Sequence, residues 1–351
     1  MRSRPGVLAT AALLVLSAAA LRGADYHIVK QTVLGGQGGF DYITIDPDSH
    51  RVYIPRATHV MVIDERTHAS VADISGMKGL HGTAIVPAVN RGFVSGNEGD
   101  KAIVYVFDLK TNALTGKIET GEEDADGILY DAATKRVYVN NGEPMSTTVI
   151  DPATLKVVGS IKDGGEPEAA ATDGNGRLFI NLVDKASVAV VDARAMKVTA
   201  TWSAAPCERG YGAAFDAQHH RLFLACQGAK PVAVVMNADT GKVVATMPIG
   251  AGSDGAVFDP STGDLFFACR DSGDATSGVV NVFHEDSPDR YTKVADVKYM
   301  YGAKTIALDP STHHVFSMAA TKNDPVPPTP QNKNPRPRAD PATFSIVEVG
   351  K

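Results

Sequence analysis

The sequence predicts an all-β protein, a seven-bladed β-propeller of four-stranded antiparallel blades closed by its own N-terminal strand. Three observations carry the prediction. The stretch GILYDAATKRVYVNNGEPMSTTVIDPATLKVVGSI, residues 127–161, holds four short apolar runs divided by turns in which Asp comes first and Pro can follow. That unit recurs: Asp46, Asp131, Asp173, Asp216, Asp259 and Asp309 each close an apolar run, Pro87 fills the remaining slot, and the successive gaps are 41, 44, 42, 43, 43 and 50 residues. A four-stranded unit of this period cannot bury both apolar faces alone, so it must stack on copies of itself. Third, an alternating segment, Tyr26–Leu34, precedes the first unit, while the last unit is one strand short. Pairing the two closes the ring and removes an exposed edge.

In chain order, the first residues read as a targeting signal. Arg2 and Arg4 give a basic start, Val7–Leu16 is apolar, and Ser17–Ala20 offers small residues for cleavage. Residues 1–20 are thus expected to be a signal peptide, leaving one propeller domain, residues 25–351, in the periplasm or outside the cell. A membrane anchor is the competing reading, but the run is short of the roughly 20 residues a spanning helix needs. Loss of the two arginines takes the formal net charge from −6 to −8. An acidic chain is a poor default partner for nucleic acid. A monomer is expected, with a protein or small molecule as partner.

Blade 1 is expected from Tyr42 to Ile74, blade 2 from Thr83 to Ile118, blade 3 in the stretch quoted above, and blade 4 from Ala169 to Trp202. Blade 5 runs from Gly212 to Met247. Blade 6 runs from Ala256 to Val297 with an excursion through Pro288. Blade 7 takes Thr305–Leu308, Val315–Met318 and Phe344–Val349. Its interruption, residues 321–341, contains seven prolines with Lys322, Lys333, Arg336 and Arg338. Such a segment favours polyproline conformation and reads as an arm folded over the acidic mouth. The glycines of GGQGG, residues 35–39, lead into a strand, so they read as a hinge and not as a dinucleotide loop.

Of three cysteines, Cys207 precedes the inner strand of blade 5 and Cys226 ends its second strand, so the two could pair in an oxidising compartment; buried single thiols are the alternative. No CxxCH or CxxC occurs, so covalent haem attachment and dithiol chemistry are excluded. No convincing GxSxG, HExxH or phosphate loop is present.

The runs RVYVNN (136–141), RVYIP (51–55), RLFIN (177–181) and RLFLA (221–225), with the closing block from VFHEDSPDRYTKV to the Pro-rich arm, resemble the YncE-like, YVTN-repeat β-propeller family. The likeness covers essentially the whole mature chain. It implies an exported binding or scaffold propeller and supplies no catalytic set.

Candidate chemistry gathers where the inner strands begin. The residue five before each repeat marker is Asp41, Gly82, Asp126, Glu168, Tyr211, Asp254 or Lys304, with His81 beside Gly82. These side chains should ring the channel mouth, joined by Asn140 and Arg270 from loops after second strands. Converging carboxylates raise one another's pKa or recruit a cation. A divalent ion such as calcium, held by Glu168 and Asp254, is therefore expected if the site binds metal. The plainer reading is that the carboxylates cap backbone N–H groups. The functional expectation is a non-catalytic ligand- or partner-binding scaffold. A calcium-dependent hydrolase or lactonase using Glu168, Asp254 and Asn140 is the alternative, and a redox propeller without an attached cofactor comes third.

Overall fold

The computed structural model describes residues 26–321, Pro327, Thr329 and 340–351. The expected signal peptide and the basic residues of the Pro-rich arm lie outside the described residues. Twenty-eight strands form seven four-stranded antiparallel sheets. Six of the sheets follow chain order from inner to outer strand. The seventh runs Ile306–Asp309, His314–Ala319, Ser345–Gly350 and then His27–Val33. The N-terminal strand is the outer strand of the last blade, paired from His27↔Gly350 to Val33↔Ser345.

The repeated aspartates explain themselves locally. Each ends an inner strand and accepts hydrogen bonds from the turn behind it. Asp131 takes the Thr134 N–H at 2.8 Å and the Thr134 hydroxyl at 2.7 Å, and Asp309 takes the Ser311 and Thr312 amides. A short carboxylate can do this without disturbing the strand. Where Pro87 replaces Asp, a 3-10 turn over Pro87–Val89 performs the reversal, with Asn90 left-handed at φ 54°.

The core is distributed as seven apolar layers, one between each pair of neighbouring blades. Tyr53, Val62, Val94 and Phe107 belong to the layer between blades 1 and 2; Val52, Ile54, Phe316 and Ile346 belong to the layer that closes the ring between blades 7 and 1. Each blade therefore depends on both neighbours for burial.

Two details differ from the expected layout. The blade 6 excursion is a continuation of the sheet: Ser277–Ser287 and Arg290–Met300 form one long hairpin turning at Pro288 and Asp289. The 35–39 glycines do connect the closing strand to blade 1, but they also enclose Arg56. Its guanidinium donates to the carbonyls of Gly35 (3.1 Å), Gly36 (2.7 Å), Gly38 (3.0 Å) and Gly39 (3.3 Å), and stacks on Phe344 at 3.6 Å. Gly38 sits at φ +101°, and a Cβ there would meet the Arg56 carbonyl at 2.6 Å, so this wrap needs glycine. Arg56 follows the second strand of blade 1, yet is 1% exposed.

Candidate functional site

The side chains that precede the inner strands converge at one end of the channel, as their equivalent repeat positions require. Neighbouring blades are tied here by backbone bonds, Asp254 N–H to Lys304 O at 2.8 Å and Tyr42 N–H to His81 O at 3.1 Å. Residues ending the second strands add a further clasp. Asn97 exchanges two bonds with Ala125, Asn140 donates to the Glu168 carbonyl, and Asn181 donates to the Gly212 carbonyl at 3.0 Å. These asparagines hold the next blade in place. Asn140 is buried, and its amide oxygen also accepts from Thr147 at 2.9 Å, so it presents nothing to a ligand.

The charged groups form one connected network. Lys304 lies between Asp41 and Asp254, with Nζ 2.8 Å from Asp41 Oδ1 and 2.9 Å from Asp254 Oδ2. His81 lies between Asp41 and Asp126, its Nδ1 3.0 Å and 3.5 Å from their oxygens. Asp254 also receives Gln227, and Arg270 stands 3.9 Å away. Glu168 faces the opposite wall, where the Tyr42 hydroxyl donates to Oε1 at 2.8 Å. Tyr211 lies half-buried on the rim with the Arg209 guanidinium 5.3 Å over its ring.

Burial and these partners set the protonation. Burial would push Asp41 up, but Lys304 and His81 outweigh it and hold the carboxyl below its usual range. Burial would lower His81, but its hydrogen bond to Asp41 and the charge of Asp126 raise it. Burial lifts Asp126 to about 6 against the pull of His81. Among the described residues Glu168 forms no ion pair: burial, then the Asp126 charge, lift it to about 9. Lys304 and His81 thus hold Asp41 ionised, while burial away from a cationic partner favours the protonated form of Glu168.

Glu168 and Asp254, expected to share a metal, are committed to different partners on different blades. Among the described residues of the mouth, the group whose donor atoms lie within 4.8 Å of one another is Asp41, His81 and Asp126. Tyr42 is the mouth residue the sequence reading passed over. Its counterparts in the other blades are Thr83, Gly127, Ala169, Gly212, Gly255 and Thr305, so a large aromatic at this slot is a signal that could have been seen. All of these small residues but Gly212 line a channel cavity of about 170 Å³, bounded by Tyr42 and Asp254. At the entry to blade 5, Cys207 forms a disulfide with Cys226 of the second strand, while Cys269 in blade 6 is a buried free thiol.

No protein-family model and no curated protein sequence matches this chain. A solved structure of Kuenenia stuttgartiensis hydrazine synthase is similar in fold, with a TM-score of 0.68 and 17% identity over 80% of this chain and 92% of that one. At that identity the likeness establishes the propeller fold. Among the described residues, no helix is long and apolar enough to cross a membrane.

Proposed function

We propose that this chain is an exported, YncE-like propeller that acts as a non-catalytic binding scaffold, taking a cationic ligand or a basic partner segment at its channel mouth. The observation that carries the reading is Asp126. Its side chain is 25% exposed, and its cationic neighbour is His81 at 3.5 Å, which Asp41 already engages more closely. The other mouth carboxylates are satisfied internally by Lys304, Gln227 or Tyr42. Asp126 is therefore the group with capacity to spare for an incoming ammonium or guanidinium, and Asp41 stands beside its approach. The Cys207–Cys226 bond supports export, because disulfides persist in oxidising compartments.

The test is calorimetric titration of spermidine, calcium and magnesium into wild type and Asp126→Asn. Saturable heat with spermidine that disappears in Asp126→Asn supports the reading. No saturable heat from wild type, or the same heat from both proteins, rejects it. A metal-dependent hydrolase is the second reading, favoured by the clustering of Asp41, His81 and Asp126 donor atoms. An imidazole in that set suits zinc or manganese better than calcium. Chelator-sensitive turnover of a lactone panel would put this reading first.

A further inference from the structure

The face opposite the mouth carries the turns between first and second strands, and the blade 5 turn departs from a pattern that four others share. In blades 1, 3, 6 and 7 the residue three after the repeat Asp is a hydroxyl that donates to the Asp Oδ2: Ser49 at 2.7 Å, Thr134 at 2.7 Å, Thr262 at 3.0 Å and Thr312 at 2.5 Å. In blade 5 that residue is His219. Its Nδ1 lies 2.9 Å from Asp216 Oδ2 and 3.3 Å from Glu285 Oε1, the latter brought from the long blade 6 hairpin. All three donor atoms lie within 4.8 Å of one another.

Both carboxylates are nine-tenths buried or more, with side-chain exposures of 1% for Asp216 and 3% for Glu285. Among the described residues neither forms an ion pair with Lys or Arg. Arg221, close by, is spent on Asp289 and on the carbonyls of His219 and Pro288. Glu285 Oε1 has a long 3.4 Å bond from the Tyr291 hydroxyl. A single Nδ1–H can donate to one of the two carboxylates at a time. Two buried anions against one imidazole is a costly arrangement unless something further neutralises it.

The seam between blades 7 and 1 solves the same problem differently. There Asp309 and Glu65, in the corresponding positions of turn and neighbouring blade, hydrogen-bond directly. Burial and Asp309 lift Glu65 to about 8, so one proton holds the pair together. In blade 5 the His219 Nδ1 approaches both carboxylates. We infer that Asp216, His219 and Glu285 form a divalent transition-metal site, of the zinc class, on the face opposite the mouth. Ligands about 2.0–2.1 Å from a tetrahedral zinc stand about 3.4 Å apart, close to the 2.9 and 3.3 Å spacings found. Asp216 is held in place by the Gln218 amide at 2.8 Å. His219, 34% exposed, opens the site to solvent and leaves a fourth position for water. The donor set of one imidazole and two carboxylates favours zinc over calcium.

The test is zinc titration of the purified protein against a chromophoric chelator, with His219→Thr, Glu285→Gln and Asp126→Asn alongside. His219→Thr restores the hydroxyl used in blades 3, 6 and 7, so the turn should keep its fold, which a melting curve verifies. Wild type and Asp126→Asn should bind one tight equivalent. His219→Thr and Glu285→Gln should weaken it by at least the roughly 10–100-fold that loss of outer-shell support costs. Cobalt in place of zinc should give wild type a tetrahedral visible spectrum that His219→Thr lacks. Absence of a tight equivalent in wild type, its retention in a folded His219→Thr, or its loss in Asp126→Asn would overturn the assignment.

Discussion

Replacing Glu168 by Gln should stabilise this protein at neutral pH, by an amount that grows as the pH rises. In the folded protein the carboxyl titrates at about 9, against an ordinary value of 4.5. Between those values the folded state holds a proton that the unfolded chain has released, so stability falls with increasing pH. Each unit is worth about 1.4 kcal/mol. At pH 7 the penalty is on the order of 3 kcal/mol, at pH 5 under about 1 kcal/mol, and it levels off above pH 9. Glutamine keeps an acceptor for the Tyr42 hydroxyl, 2.8 Å from Oε1, and has no proton to lose. Urea unfolding of both proteins at pH 5, 7 and 8.5 measures the difference directly, with unchanged slope showing that compactness is preserved. A difference that does not vary with pH, or a variant less stable than wild type at pH 8.5, would refute the reasoning. It would mean that Glu168 is ionised in the mouth.

Two further outcomes follow from the seam and its glycine wrap. Removing residues 26–34 strips the last blade of its outer strand and bares Ser345–Gly350, a strand buried almost throughout. Aggregates on size exclusion and a large drop in melting temperature are expected, and a monomer melting like wild type would contradict the closure. Arg56→Met removes four charge-assisted bonds to the 35–39 carbonyls while releasing a buried charge. The net cost should be about 3 kcal/mol, or a melting temperature lower by about 4 °C for a chain of this size, read by calorimetry.

Repeat spacing specifies the ring. Seven markers at near-constant spacing and an orphan N-terminal segment specify blade number and closure, because blades that cannot bury their faces alone leave few ways to stack. The mouth was legible for the same reason: equivalent positions in a repeat must face one axis, which brought Asp41, His81, Asp126, Glu168, Asp254 and Lys304 together. Tertiary structure decided how these charges are shared. Pairing depends on side-chain reach across blades, and repeat spacing does not encode it; Lys304 could have bridged other carboxylates, and Tyr42 met Glu168 only because blades 1 and 4 face each other across a narrow channel. The same holds on the far face, where His219 meets Glu285 because a blade 6 hairpin extends past its neighbours. Arg56 shows the limit most plainly. Its position in the repeat predicts a loop residue, whereas its buried setting is made by glycine carbonyls from another blade's connection, and backbone acceptors leave no mark on side-chain pattern.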